Sequence, residues 1–294
     1  MKDDDESELN DKIIKELFNS IHSDDFNTVK TYFIDSELQP WLLKNKEGCN
    51  PLHTACFRNF TLIAFSIIEE TKHRTDAITV KQFINEKQSN GYTPIHYASY
   101  RGNIELIKYL VENGADINVK NDKGLNVMHL ASQGDSPASL VYFKEYHNFD
   151  YTLTDNIGST PLHWACYTSS EFSFQFLLSF ENINLNVQDN DGVTPLHCSV
   201  MAKKGSIIKK LLQNNVDKTI KDKKGRTAYD LSNDRQIKDI INSETGYAGY
   251  CAFGSEIRKN NRTAFNVYIC LLLHFIIEVP VFITLLPCKY YIKF

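Results

Sequence analysis

The sequence lacks the patterns that build a metal, nucleotide or hydrolytic site. Its seven cysteines include no Cys-x-x-Cys pair, and it contains neither the G-x-x-x-x-G-K-[ST] phosphate loop nor the G-x-S-x-G nucleophile motif. An odd number of separated cysteines is typical of reduced thiols rather than of a disulfide framework. We therefore predict no catalytic residue, metal ligand or cofactor within these 294 residues.

The sequence also lacks a strong charge of either sign. Its formal net charge is −4, which gives no basic footprint for nucleic acid, so no nucleic-acid partner is expected. The opening residues, MKDDDESELN, are acidic and contain no apolar stretch. We therefore expect no secretory signal peptide and a disordered segment over residues 1–10.

What the sequence does contain is one motif written several times, most clearly as GYTPIHYASYRGN, GSTPLHWACYTSS and GVTPLHCSVMAKK. Copies of the motif begin at six glycines: Gly48, Gly91, Gly124, Gly158, Gly192 and Gly225. The first interval is 43 residues and carries an insertion, whereas the later intervals are 33 or 34 residues. A period of about 33 residues with a T-P-L-H-x-A core is the signature of ankyrin repeats. This resemblance implies an all-α solenoid of stacked helix pairs.

The letters of the motif have physical roles. The glycine suits a turn with positive φ, the threonine caps the first helix, and the proline fits the first helical turn. The first helices are predicted to start next to these residues: Asn50, Thr93, Asn126, Thr160, Thr194 and Thr227. A second helix follows in each unit, and two capping helices are predicted over residues 11–33. The repeat domain is therefore expected at residues 11–242.

Five of the nine histidines stand at the same position of the motif: His53, His96, His129, His163 and His197. Histidines one unit apart are separated by the thickness of stacked helix layers, so they cannot converge on one metal ion. We expect each histidine to hydrogen-bond across its turn and to join adjacent units.

A binding surface is the remaining candidate for function. In an ankyrin stack, the residue after the histidine and the last residues of the first helix face the concave side. Here this set is rich in aromatic residues and arginine, which protein-recognition surfaces favour. Its members are Phe57, Arg58, Tyr97, Tyr100, Arg101, Gln133, Trp164 and Tyr167. We expect proteins or extended peptide segments to bind there. The alternative is that Tyr97 and Trp164 only pack against neighbouring units.

One long apolar run, AFNVYICLLLHFIIEVPVFITLLP at residues 264–287, is about long enough to cross a bilayer. Its only ionisable residues are His274 and Glu278. We predict a transmembrane helix there, preceded by a linker at residues 243–262 and followed by a short tail at residues 288–294.

The charges next to this run favour a cytosolic side for the repeat domain. We expect membrane lipid as a partner and a location in a membrane, such as the Golgi or another endomembrane. His274 and Glu278 share one helix face and Pro280 follows, so this span is expected to pack against other helices. Cys288, at the end of the span, is a candidate acylation site.

The stretch GSTPLHWACYTSSEFSFQFLLSFENINLNVQDNDGVTPLHCSV is more particular than a general repeat. Its Trp after the His, its Ala-Cys-Tyr and its second helix resemble the Asp-His-His-Cys palmitoyltransferases of the huntingtin-interacting type. GLNVMHLASQGDS resembles the divergent third unit of that family. The resemblance runs from about residue 90 to the C-terminus. It implies a repeat domain that recruits substrates ahead of a first membrane span.

The chain departs from that family in two respects. No cysteine-rich Asp-His-His-Cys loop occurs, so the acyl-accepting cysteine has no counterpart, and Tyr97 stands where the family has Trp. We expect a membrane-tethered ankyrin-repeat protein that recognises other proteins. The alternatives are a longer natural product that is a protein-cysteine S-palmitoyltransferase, a multi-span ankyrin channel, and a free-standing adaptor with one anchor.

Overall fold

The computed structural model describes residues 2–35, 38–180 and 183–243 of the chain. In chain order the helices are α1 (Lys2–His22), α2 (Phe26–Asp35), α3 (Pro51–Arg58), α4 (Thr61–Arg74), α5 (Ala77–Ile84), α6 (Pro94–Arg101), α7 (Ile104–Glu112), α8 (Val127–Gln133), α9 (Pro137–Val141), α10 (Pro161–Thr168), α11 (Glu171–Leu178), α12 (Pro195–Met201), α13 (Gly205–Gln213), α14 (Ala228–Leu231) and α15 (Arg235–Asn242). A 3₁₀ turn covers Pro40–Leu42, and a π-helical turn, Tyr142–Tyr146, continues α9. The predicted all-α solenoid is confirmed for these residues.

Six units follow the six motif glycines, and in each unit a first and a second helix are joined by a turn of two or three residues, with a third helix, α5, in the first unit. The first helices, α3, α6, α8, α10, α12 and α14, pack against one another in chain order. Helices α1 and α2 precede the first unit, and α1 packs against α3. All six predicted capping residues directly precede a first helix, so the predicted starts of these helices are confirmed.

The N-terminal segment differs from the expectation of disorder over residues 1–10, because α1 already begins at Lys2. The sequence places four acidic residues immediately after this start. Negative charge near the N-terminus of a helix is favourable, since the amide dipoles leave partial positive charge there. The acidic run therefore favours the helix rather than opposing it.

The insertion in the first unit is an additional helix. Helix α4 extends over 14 residues, and α5 then packs against α4 and the 3₁₀ turn. Val80, Phe83 and Ile84 are the buried residues of α5. The carboxylate of Asp76 caps this helix by accepting from the amides of Ile78 and Thr79. The extra residues thus add core instead of lengthening a loop.

The loop that precedes each first helix, here called the finger loop, binds the finger loop of the next unit. The backbone hydrogen bonds are Ser89 N to Glu47 O (3.3 Å), Asp122 N to Asn90 O (3.3 Å), Asn156 N to Lys123 O (3.0 Å), Asn190 N to Ile157 O (2.9 Å) and Lys223 N to Asp191 O (2.9 Å). Gly124 shows why glycine is needed here. Its φ is +77°, and a Cβ atom would collide with the side chain of Asn156 in the next unit.

No helix of the described ranges is long and apolar enough to cross a membrane. The span predicted at residues 264–287, the tail at residues 288–294 with Cys288, and all of the linker at residues 243–262 except Ser243 lie outside those ranges. The membrane helix therefore stays a prediction from the sequence.

Candidate partner-binding surface

The repeated histidines hold the units in register. The Nδ1 atom of His163 accepts from the amide of Thr160 at 3.1 Å, which leaves the proton on Nε2 to donate to the carbonyl of Val193 at 3.1 Å. His53, His129 and His197 make the same link to the next unit at 3.0 to 3.2 Å. The predicted role of joining units is confirmed for these four histidines.

These side chains are kept neutral by their surroundings. Burial lowers the pKa of His53, His96 and His129 to about 4, and burial also lowers the pKa of His163 and His197. His96 differs in one bond, since its Nε2 atom is buried without a partner among the described residues. The histidines therefore serve the packing of the stack and leave the exposed side chains of the first helices as the candidate site.

All eight predicted binding residues lie on four consecutive first helices, α3, α6, α8 and α10. The exposed side of the first helices is here called the inner face. Phe57 is 42% exposed and Tyr167 is 55% exposed, and both arginines are exposed. Tyr97, Tyr100, Gln133 and Trp164 are half-buried. The inner face therefore presents large aromatic surfaces to solvent.

The first aromatic group on the inner face, the Phe57–Tyr97 cluster, consists of Phe57, Tyr92, Tyr97 and Arg101. Tyr97 meets Phe57 edge to face at 5.3 Å between ring centroids and stacks on Tyr92 at 5.5 Å. The guanidinium of Arg101 lies 5.0 Å from the centroid of Phe57, and its Nε donates to the Phe57 carbonyl at 2.6 Å. Burial raises the pKa of Tyr97 to about 12. Tyr97 is thus packed between units and still partly open to solvent.

The second group, the Trp164–Tyr167 pair, lies two units further along. Its rings meet edge to face at 6.0 Å between centroids. The indole Nε1 of Trp164 donates to Oδ2 of Asp155 at 2.8 Å. Asp155 is buried in its own finger loop, where its Oδ1 accepts from the amides of Ile157 and Ser159. Trp164 is therefore held in one orientation before any partner arrives.

The third unit separates the two groups and presents little aromatic surface. Leu130 is buried at the position of Tyr97 and Trp164, and Gln133 is half-buried at the position of Tyr167. The backbones of the second and third units lie so close together here that a Cβ atom on Gly134 would overlap the carbonyl oxygen of Tyr100. Gly134 is thus required by a neighbour rather than by its own backbone angles.

Other predicted and unpredicted residues lie around these groups. Arg58 is occupied at the N-terminal edge, where its Nε donates to Nδ1 of His22 at 2.8 Å. Met201, which is 46% exposed, extends the inner face to the fifth unit. The period of the motif could have identified Met201, since it follows His197 by four residues as Tyr167 follows His163. No sequence signal marked Tyr92 as a stacking partner.

Comparison with known proteins supports the repeat assignment. The family model of ankyrin repeats in three copies matches residues 10–121, 72–152 and 127–222. Alpha-latrocrustotoxin-Lt1a of Latrodectus tredecimguttatus is 35% identical over 90 residues, which cover 31% of this chain and 6% of the toxin. Palmitoyltransferase AKR1 of Saccharomyces cerevisiae is 28% identical over 85 residues, which cover 27% of this chain and 11% of the enzyme. The chain thus matches only a small part of each of these relatives.

Among solved structures, the ankyrin repeat domain of Bcl-3 superposes with a TM-score of 0.51 at 18% sequence identity. The match covers 76% of this chain and 96% of that domain. At 18% identity it shows that the two share a fold and nothing more. The 33- to 34-residue period, the stacked helix pairs and the histidine links agree with the family match over most of the chain. This chain belongs to the ankyrin-repeat family.

Proposed function

We propose that the inner face binds an extended segment of a partner protein, as the family's role in protein recognition suggests. The observation that carries this proposal is the pair of aromatic groups, of which one is shared by the first and second units and includes Arg101, and the other lies on the fourth unit. Aromatic and arginine side chains contribute most of the binding energy in protein interfaces. An extended segment would lie along the stack and contact both groups across the third unit.

The aromatic groups are suited to this role because they are already ordered. Tyr97 is fixed by Phe57 and Tyr92, and Trp164 is fixed by the carboxylate of Asp155. Immobilising a flexible side chain on binding costs roughly 0.5–1.5 kcal/mol. Side chains that are held in place before binding avoid most of that cost.

The test is to select peptides from a random display library on the full chain and to measure the affinity of the selected peptide by calorimetry. Replacing Tyr97 and Trp164 together by alanine should weaken binding by about 2 kcal/mol or more. The matched control is Phe172→Ala, which removes an aromatic ring that is 62% exposed on α11. Circular dichroism checks that both variants keep their helices. Equal affinities for the double variant and the wild type would refute the proposal.

We further propose that this recognition serves a membrane-bound palmitoyltransferase, with the repeats on the cytosolic side and lipid as a second partner. The similarity to the yeast palmitoyltransferase, the Trp-containing fourth unit and the predicted span support this proposal. Transcript sequence that continues past the codon for Phe294 into an Asp-His-His-Cys loop would support it directly. Complete extraction of the chain from membranes by alkaline carbonate would contradict the membrane tether.

A further inference from the structure

The charges of the chain are divided unequally along the stack. Residues 203–243 contain eleven lysine or arginine residues and five aspartate or glutamate residues. Residues 1–202 contain sixteen basic and 28 acidic residues. A chain with a net charge of −4 therefore contains a basic segment at residues 203–243, which covers α13 of the fifth unit and the whole sixth unit.

The basic charge is most concentrated in the last finger loop, KDKKGR at residues 221–226. The side chains of Lys221, Lys223 and Lys224 are exposed. The one carboxylate in this loop, Asp222, is buried and pairs with Arg226 at 2.7 Å. Its Oδ1 also accepts from the amides of Lys224 and Arg226 at 2.9 Å. Asp222 is thus occupied, and no ion pair joins the three lysines to a carboxylate within the described ranges.

The earlier finger loops use the same positions differently. Asn156 and Asn190 donate their side-chain amides to the carbonyls of Asp122 and Asn156 in the preceding units, at 2.8 and 3.2 Å. Lys223 takes that place in the last loop and keeps only the backbone bond to Asp191. No described residue lies within 4 Å of the position of a Cβ atom on Gly225. The last loop therefore keeps its backbone bond to the preceding unit, lacks the side-chain amide bond made by Asn156 and Asn190, and exposes positive charge instead.

We propose that this basic segment, residues 203–243, lies against an anionic lipid surface. Nine of its eleven basic residues are lysines, which act as hydrated point charges and suit a diffuse negative field better than a specific carboxylate. Clusters of basic residues close to a membrane span bind acidic headgroups. The predicted span begins 21 residues after Ser243, so this inference rests in part on the proposed membrane tether.

The test measures binding of the full chain to vesicles of phosphatidylcholine with and without phosphatidylserine. The variant Lys221→Gln/Lys223→Gln/Lys224→Gln should lose about 100-fold in binding to the phosphatidylserine vesicles, because each lysine near an anionic bilayer contributes roughly a factor of five. The charge-matched control, Lys30→Gln/Lys46→Gln/Lys123→Gln, removes three exposed lysines from earlier parts of the chain and should bind as the wild type does. The preference for phosphatidylserine should weaken as salt is raised.

The outcomes separate this inference from the proposed tether. Strong binding to both kinds of vesicle without a preference would refute the inference and keep the tether. If the chain binds vesicles that contain phosphatidylserine but does not bind pure phosphatidylcholine vesicles, the inference stands and the proposed membrane tether is refuted. Equal losses in the two triple variants would refute the inference. Tighter binding of polyglutamate or RNA than of phosphatidylserine vesicles, lost in the finger-loop variant, would also refute it and name another partner.

Discussion

The third unit, with α8 and α9, and the fourth unit, with α10 and α11, are alike where they join their neighbours and differ where they face solvent. Their histidines link to the next unit at 3.0 and 3.1 Å, although Asn126 caps α8 and Thr160 caps α10. On the inner face the fourth unit presents Trp164 and Tyr167, whereas the third presents no aromatic residue at the equivalent positions. The two units thus share the histidine link to the next unit, while their exposed side chains on the inner face differ.

The second helices of the two units also differ. Helix α11 is a regular helix of eight residues, whereas α9 is α-helical for five residues and continues as the π-helical turn. The turn closes where the amide of Phe149 donates to the carbonyl of Phe143 at 3.0 Å. Phe143 is fully buried. The π-helical turn therefore buries an aromatic side chain although its backbone departs from a regular α-helix.

The largest expected effect concerns the histidine links that the two units share. The buried native histidines stay neutral, whereas unfolded histidines take up protons below their ordinary pKa of 6.5. Stability is therefore greatest above pH 6.5 and is lost as the pH falls towards 4. A native pKa of about 4 at His129 corresponds to a loss of about 3 kcal/mol in the free energy of unfolding. Urea unfolding across this pH range measures it. His129→Gln and His163→Gln should each reduce the change in the free energy of unfolding per pH unit. An unchanged pH dependence in both variants would contradict this account.

The next effect concerns Gly134, where the third unit packs against the second. Gly134→Ala places a methyl group on the carbonyl oxygen of Tyr100, so the second and third units must move apart. We expect a loss of about 3 kcal/mol in the free energy of unfolding, at the upper end of typical overpacking costs. Thermal unfolding followed by circular dichroism measures it. The control is Gly205→Ala in α13, where the new methyl group meets only the flexible end of Ile240. Equal losses in the two variants would count against the close approach.

The smallest of the three effects belongs to the fourth unit. Trp164→Phe keeps an aromatic ring but removes the N–H group that donates to Asp155. Asp155 keeps its two backbone donors, so we expect a cost of about 1 kcal/mol, the usual net value of one hydrogen bond. Asp155→Asn measures the same bond from the other side, and urea unfolding compares the two. A neutral result for both would mean that the bond does not orient the tryptophan.

Features that depend on residues close together in the sequence were predictable. The capping residues, the prolines and the glycines fix the starts of the first helices, because a cap acts within three or four residues. The period then placed all eight predicted residues on the first helices. Whether they bind a partner stays a prediction.

Features that depend on distant residues were not predictable in the same way. Gly134 resembles an ordinary helix end, and only the carbonyl of Tyr100 makes it necessary. The stacking of Tyr92 on Tyr97 and the bond from Trp164 to Asp155 need the folded loop. The insertion was visible as extra length, but its helix α5 is specified by burial against α4.

In the part of the chain that the structure describes, the bonds between finger loops join adjacent units, so the stack behaves as a one-dimensional lattice with nearest-neighbour coupling. In such a lattice the end units open first, since each has a single neighbour among the units. The sixth unit is such an end, and its α14 has only four residues. Loss of an interior unit would instead split the lattice into two independent halves. A ligand that touches the second and fourth units would therefore stabilise the interior interfaces between them more than the interface of the sixth unit.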